Sequence, residues 1–189
     1  MKFGLTGLLL LASLPIATAQ AAGPPAACPP EPTRVVRSAG GVIDYTGTVP
    51  GIPELCHLIR GDGPGDFYYG SWRSDWPGAG QAYPAIRAVV TGPKGTRVSF
   101  VTRSYPGFQF DDSYVNEGVE TLVVDGKSYS VLRVAHERNG IDGNTYHSII
   151  TSWRDVLTGI SLKALENQIS GQSYGPATTW IALKVQPLP

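Results

Sequence analysis

The residues best suited to chemistry are three histidines, two of which flank one predicted turn. If Gly140–Gly143 forms a four-residue hairpin loop, His136 lies directly opposite His147 on the more apolar face of the two strands. Two facing imidazoles could bind Zn²⁺ or Cu²⁺ with a third ligand, or form a neutral hydrogen-bonded pair. No carboxylate or cysteine stands beside them at ligand spacing, so we favour the hydrogen-bonded pair and predict no metal site. His57 adjoins a cysteine and indicates nothing further.

A five-residue run, Gly171–Gly175, matches the G-x-S-x-G sequence of hydrolase nucleophile elbows. Such an elbow requires a strand before the serine, a helix after it, and an acid and a histidine later in the chain. Here Pro176 and a predicted strand follow, and the sequence beyond residue 175 contains no Asp, Glu or His. The run therefore indicates a glycine-rich turn.

Four acidic residues raise the possibility of glycoside hydrolysis, which uses paired carboxylates: Asp111, Asp112, Glu117 and Glu120. Adjacent residues on an extended chain point to opposite sides, so Asp111 and Asp112 do not form a pair. We expect residues 108–114 to be an irregular loop with solvated acids. The sequence thus predicts a protein that is not an enzyme, with a hydrolase site assembled only by the fold as the alternative.

The segment from Asp66 to Tyr83 is the best lead to a binding surface for a ligand or partner. It contains six aromatic side chains: Phe67, Tyr68, Tyr69, Trp72, Trp76 and Tyr83. Aromatic side chains at this density either plug one end of a sheet or form a surface on which a ligand or partner binds. We expect Trp72 to be more buried than Trp76, because Trp76 precedes Pro77 in a turn-like run.

The charge balance excludes two classes of partner. The 189 residues include 15 basic and 15 acidic side chains, with no block of like charge. Nucleic-acid binding and strong binding to anionic membranes both require a basic patch, which this pattern does not supply. We also predict no cofactor.

The N-terminus has the pattern of a secretory leader. An apolar run follows Lys2 and extends through Ile16, and Ala17-Thr18-Ala19 supplies small residues for cleavage. We therefore expect residues 1–19 to be a cleavable signal peptide and the protein to be periplasmic or secreted. A leader retained as an anchor is the alternative, since the run is about as long as the shortest membrane-spanning helix.

Two cysteines, Cys28 and Cys56, are an even number in a chain that the leader directs to an oxidising compartment. We predict one structural disulfide between them, worth about 3 to 4 kcal/mol. It would hold the proline-rich lead-in, residues 20–33, against the domain that follows.

The rest of the chain, residues 34–189, reads as a single all-β domain. The whole sequence contains 23 glycines and 16 prolines, which leave no room for long helices. We predict an antiparallel meander forming a strongly curved sheet or partly closed barrel, with at most one or two short helices. The candidate strands are 34–45, 55–60, 67–73, 85–91, 96–103, 119–124, 128–138, 144–153, 160–169 and 178–186. Residues 161–169 would also suit a short helix.

Residues 119–186 carry a resemblance to a known kind of domain, which extends more weakly to 68–72. The matching runs are Glu120–Tyr129 with its Asp125-Gly126 turn, Leu132–Val134, Ser152–Asp155, Thr158–Ile160 and Leu162-Lys163. This pattern resembles uncharacterised secreted bacterial β domains, similar in layout to the half-barrels of periplasmic lipoprotein carriers. The resemblance implies a periplasmic, meander-built sheet and no particular activity.

From these features we expect an exported, non-catalytic envelope protein that binds an apolar or amphipathic small ligand or docks on another envelope protein. The alternatives are a secreted hydrolase and a structural subunit anchored by its leader. An apolar cavity of a few hundred cubic ångströms would favour ligand binding. A filled sheet with an exposed aromatic patch would favour docking.

Overall fold

The computed structural model describes residues 24–103, 107–172 and 178–188. In this part of the chain eleven strands form one sheet and one segment is helical. The elements are β1 Thr33–Arg37, β2 Val42–Val49, β3 Ile52–Arg60, β4 Gly63–Tyr68, β5 Trp72–Arg73, α1 Ala79–Thr91, β6 Arg97–Arg103, β7 Gln109–Val124, β8 Lys127–Ile141, β9 His147–Asp155, β10 Ser161–Ser170 and β11 Trp180–Pro187. The ambiguous run 161–169 is thus a strand.

The sheet is an antiparallel meander that starts and ends at its centre. The strand order is β5-β4-β3-β2-β1-β11-β10-β9-β8-β7-β6, so the first and last strands pair with each other. From this centre the chain runs outward to the edge strand β5, crosses by α1 to the opposite edge strand β6, and returns. The strongly curled sheet stays open between β5 and β6, which confirms the predicted fold class.

Two clusters of buried side chains form the core. The larger cluster packs β1–β4 against β7–β11, and its largest fully buried members include Tyr45, Phe67 and Leu58. The Tyr45 hydroxyl accepts a hydrogen bond of 2.9 Å from the Ser161 amide, which joins β2 to β10 across the curl. The smaller cluster packs α1 against β5–β8. Burial at about 1.5 to 3 kcal/mol per large apolar side chain is the main source of stability.

The disulfide prediction is confirmed. Cys28 and Cys56 are bonded, with their Cα atoms 5.5 Å apart. The Ala26 amide also donates a hydrogen bond of 2.9 Å to the Val156 carbonyl, just beyond β9. These two links hold the end of the proline-rich lead-in against the sheet.

The strand predicted at residues 85–91 is wrong, because Ala79–Thr91 is a helix. Its buried residues recur at every third or fourth position: Ala82, Ala85, Ile86, Val89 and Val90. This helical spacing faces the apolar cluster on β5–β8, and packing overrides the strand preference of the valines.

The irregular loop predicted at residues 108–114 is also wrong. Most of it belongs to β7, a strand of 16 residues that pairs with both β6 and β8. Asp111 and Asp112 do point to opposite sides, but Asp112 is fully buried and not solvated. The predicted strand 34–45 is in fact β1 and β2, joined by a turn.

The predicted pairing of His136 with His147 is wrong as well. β8 ends at Ile141 and β9 begins at His147, so the loop between them is longer than four residues. His136 consequently pairs with Ile150, three positions from the expected partner. Side chains alternate between the two faces of a sheet, so a shift of the pairing by an odd number of residues places the two side chains on opposite faces. The two histidines lie on opposite faces, which removes the metal hypothesis built on them.

Two sequence predictions fall on residues outside the described ranges. The leader, residues 1–19, is one, and most of the run Gly171–Gly175 is the other. Within the ranges that are described, α1 does not combine the length and the apolar character that a helix needs to cross a bilayer.

Candidate functional site

The edge strands β5 and β6 are not hydrogen-bonded to each other, and side chains of the aromatic segment fill the space between them. Trp72 of β5 is 3% exposed and contacts Phe100 of β6, with ring centroids 6.2 Å apart. Trp76 lies edge-on to Trp72 at 6.1 Å and is 43% exposed. The predicted order of burial is confirmed. We call this contact region between β5, β6 and the start of α1 the seam.

The other aromatic residues of the segment are mainly structural. Phe67 belongs to the large core cluster, and Tyr69 is buried beside α1. Burial raises the pKa of Tyr69 to about 12. Tyr68 and Tyr83 are half-buried and stack on each other at 4.5 Å. Of the six candidates, Trp76 has the largest exposed apolar surface.

A buried group of charges lies beneath Trp72. The Asp112 carboxylate is fully buried and contacts His136 Nε2 at 2.7 Å and Arg138 Nε at 2.9 Å. Its second oxygen accepts a hydrogen bond from the Thr102 hydroxyl. Burial acts to raise the pKa of Asp112, but the hydrogen bond and charge of His136, with the charge of Arg138, lower it overall.

This group supports the seam and has no arrangement for nucleophilic catalysis. The Thr102 hydroxyl donates to Asp112, so it is not activated by His136. His136 stacks on Tyr114 at 4.2 Å, and the Arg138 guanidinium lies 5.2 Å from the Trp72 ring centroid. Sequence reasoning missed this group. The alternation of Phe110, Asp112 and Tyr114 at strand spacing was the signal that these residues share one buried face.

A second buried cation ties three segments together. Arg154 of β9 is 3% exposed and donates to the carbonyls of Ala27 and Gly159 at 3.1 and 3.0 Å. It also donates to the Ser71 hydroxyl at 3.0 Å. Burial lowers its pKa to about 10. Arg154 thus joins the lead-in, the turn before β5 and the turn after β9.

The remaining histidines each contact a carboxylate near the surface. His147 Nε2 lies 3.0 Å from Glu137, and His57 Nδ1 lies 2.7 Å from Asp66. Among the described residues, no cluster of three or more His, Cys, Asp or Glu side chains is placed to hold a metal ion.

An open groove lies at the other end of α1, about 20 Å along the helix from the seam at a rise of 1.5 Å per residue. Its volume is about 440 Å³. Three parts of the chain far apart in sequence supply most of its lining, together with one residue each from β8 and the turn after β9. The lining residues are Pro24, Pro25, Val90, Thr91, Gly92, Pro93, Lys94, Asn116, Gly118, Val119, Leu132 and Val156.

Asn116 of β7 builds the frame of this groove. Its amide nitrogen donates to the carbonyls of Val89 and Gly92, both at 2.9 Å, which satisfies the end of α1. Its side-chain oxygen accepts a hydrogen bond of 2.8 Å from the Gly118 amide. Asn116 is 3% exposed, so this frame is a fixed part of the structure.

Lys94 is the ionisable side chain among the groove-lining residues. Its aliphatic stem lies against Gly118, where β7 bulges and φ is +101°. A Cβ atom at Gly118 would be 2.9 Å from Lys94 Cδ, so glycine makes room for the stem. Within the described ranges, no carboxylate forms an ion pair with Lys94. Lys94 lies in the turn Gly92–Gly95 between α1 and β6.

The opposite wall of the groove is the proline-rich lead-in. Pro24 and Pro25 reach it because Ala26 is bonded to Val156 and Cys28 to Cys56. Val119 of β7 borders the groove and is 60% exposed. The groove is therefore more apolar than polar, with one cation among the residues that line it.

Comparisons with known proteins leave the function open. Neither a scan against protein-family models nor a search of curated proteins finds a match. Among solved structures, the chain is similar to the hypothetical lipoprotein YmcC from Escherichia coli (K12), with 15% sequence identity and a TM-score of 0.48. The similarity covers 84% of this chain and 86% of that one. At this level it carries no functional argument, so function must be argued from the residues themselves.

Proposed function

We propose that this protein is an exported, non-catalytic envelope domain that binds an apolar or amphipathic small ligand in the groove at the end of α1. The groove is the observation that carries the proposal. Its volume of about 440 Å³ lies within the range of about 300 to 1,000 Å³ that is usual for ligand sites. The inside of the curled sheet, by contrast, is occupied by core side chains.

Two features support the exported location. The N-terminal sequence has the pattern of a cleavable leader. The Cys28–Cys56 disulfide is of the kind that persists in oxidising compartments. The mass of the protein purified from its own host would show whether residues 1–19 are removed or retained as an anchor.

The non-catalytic part of the proposal rests on how the titratable groups are used. Asp112, His136 and Arg138 are bonded to one another beneath Trp72. His147 is engaged with Glu137 on the opposite face of the sheet. These contacts stabilise the fold and leave these acids and bases committed to structural partners.

The test is a titration of the full exported protein with the apolar fluorescent probe N-phenyl-1-naphthylamine. Saturable binding is expected, and Val119→Glu should weaken it at least tenfold because a carboxylate would enter the apolar groove. Val123→Glu is the matched control, since Val123 lies on the same strand, is 59% exposed and does not line the groove. Absent binding, or equal weakening by both variants, would contradict the proposal.

Docking on another envelope protein is the second candidate function. The exposed ring of Trp76 at the seam favours it, because half-exposed tryptophans are common anchors at interfaces. A photo-crosslinking residue at position 76 should capture one defined envelope protein in the native host. The same residue at position 157, on the turn after β9, should not.

A further inference from the structure

We infer that the ligand of the groove is a single-chain amphipathic anion, whose head group is held by Lys94 and whose apolar chain lies across the groove. This inference rests on the proposed function. It adds the charge of the ligand and the number of its chains.

Lys94 gives the groove a positive charge. Many cations of the described chain contact a carboxylate, as in Arg34 with Asp44 at 2.7 Å and Arg97 with Glu137 at 2.9 Å. None of the four described lysines has such a contact, but Lys94 is the one that lines the groove, and the residues that line the groove with it include no acid. An ammonium beside an apolar surface favours a ligand with a negative head group and disfavours a cationic one.

Hydrogen bonds of the surrounding turn hold the backbone of Lys94 in place. Lys94 belongs to a turn in which the Gly95 amide donates to the Asn116 carbonyl at 2.8 Å and the Thr96 amide to the Pro93 carbonyl at 3.0 Å. Its stem rests on the bulge at Gly118. A lysine that is held in this way loses less conformational freedom when it binds an anion than one on an unconstrained surface.

The rest of the groove suits the apolar part of the ligand. The groove exposes Val119 and part of Val156, with prolines on two sides, and the buried side chains of Val90 and Leu132 lie beneath it. A water molecule occupies about 30 Å³ in the liquid, and a methylene group is of similar size. The volume of about 440 Å³ is therefore enough for one alkyl chain of about twelve carbons.

The experiment compares three probes with the same twelve-carbon chain, each competing with the fluorescent dye below its micelle concentration. They are dodecanoate, dodecanol and dodecyltrimethylammonium. We expect dodecanoate to bind about three- to fivefold more tightly than dodecanol, the gain usual for an exposed ion pair, and the ammonium to bind most weakly. In Lys94→Gln the affinities for the three probes should no longer follow the charge of the head group. In Lys94→Glu the order of the affinities should be reversed.

Lys184→Gln is the matched control, because Lys184 is an exposed lysine of β11 that does not line the groove. It should leave the order of the affinities for the three probes unchanged.

If dodecanoate and dodecanol bind equally to the native protein, the inference fails while groove binding stands. If none of the three displaces the dye, the proposed function fails too. Flotation with vesicles containing anionic phosphatidylglycerol, without binding of monomeric dodecanoate, would point to a membrane surface and overturn the inference.

Discussion

The two ends of α1 contact the same sheet but differ in whether the charged side chain beside them has a partner. At the seam, Asp112 is fully buried and each of its oxygens has a partner. At the groove, Lys94 has no carboxylate partner among the described residues and lies beside an open apolar surface. A buried charge without partners would cost several kcal/mol, so Asp112 must have its partners within the seam. The groove is open to solvent, so Lys94 stays hydrated without a carboxylate partner and is available to bind a ligand.

Both ends are built on the same two strands. Asp112 and Asn116 lie four residues apart on β7, and His136 and Leu132 lie four apart on β8. The dense set of aromatic and titratable residues, which drew attention in the sequence, serves stability. The groove, where Lys94 is the ionisable side chain among the lining residues, is the better candidate for ligand binding. Mutations should therefore separate stability from ligand affinity.

The largest expected effect is that of Trp72→Ala. Trp72 bridges β5 and β6 and covers the Asp112 group, so its loss should lower the free energy of unfolding by about 3 to 5 kcal/mol. The affinity of the folded variant for the dye should stay within twofold of the native value. Denaturant melts and dye titrations measure the two quantities. Trp76→Ala is the control and should cost less than about 1 kcal/mol. Loss of dye binding in folded Trp72→Ala protein would place the ligand at the seam instead.

The double substitution Cys28→Ser with Cys56→Ser should affect both stability and binding. The disulfide closes a loop of 28 residues, which corresponds to about 3.5 kcal/mol of chain entropy. It also positions Pro24 and Pro25 as one wall of the groove. We expect a lower denaturation midpoint and at least threefold weaker dye binding. Unchanged dye binding by the folded variant would show that the lead-in is not part of the site.

Asp112→Asn should make stability less dependent on pH. The pKa of Asp112 is lowered in the folded protein, so its contribution is present above the unfolded value of about 3.9 and is lost as pH falls through the folded value. Urea melts should show a loss of about 3 kcal/mol at pH 7 that shrinks below about pH 4. Asp111→Asn is the control, since Asp111 is exposed on the other face. A pH-independent difference between the native protein and Asp112→Asn would exclude this charge effect.

The sequence predicts the architecture better than it predicts contacts. Short runs rich in β-branched and aromatic residues between turns suffice for the meander, because each hairpin is local. The helix was missed because valine and isoleucine favour strands, although the spacing of Ala82, Ile86 and Val89 is helical. The register of β8 and β9 depends on the length of one loop, so a small error there moved His136 to the wrong partner.

The groove was beyond prediction from the sequence for a different reason. Its lining comes from residues 24–25, 90–94, 116–119, 132 and 156, which only the curl of the sheet brings together. Each segment alone looks like an ordinary turn or strand. The disulfide was the one long-range contact that the sequence specified, because a chain with two cysteines leaves a single pairing.

The smallest effect expected is that of Gly118→Ala, which tests how the lysine is positioned. The substitution places a Cβ atom 2.9 Å from Lys94 Cδ, so the stem must move, and the positive φ of +101° adds about 1 kcal/mol of strain. The preference for dodecanoate over dodecanol should fall at least twofold, while the affinity for dodecanol stays within twofold. Gly126→Ala is the matched control, because its φ of +73° imposes similar strain and its Cβ would meet nothing within 4 Å. If both alanine variants keep the native preference, Lys94 does not need the bulge to reach the anion, and its position is set by the Gly92–Gly95 turn alone.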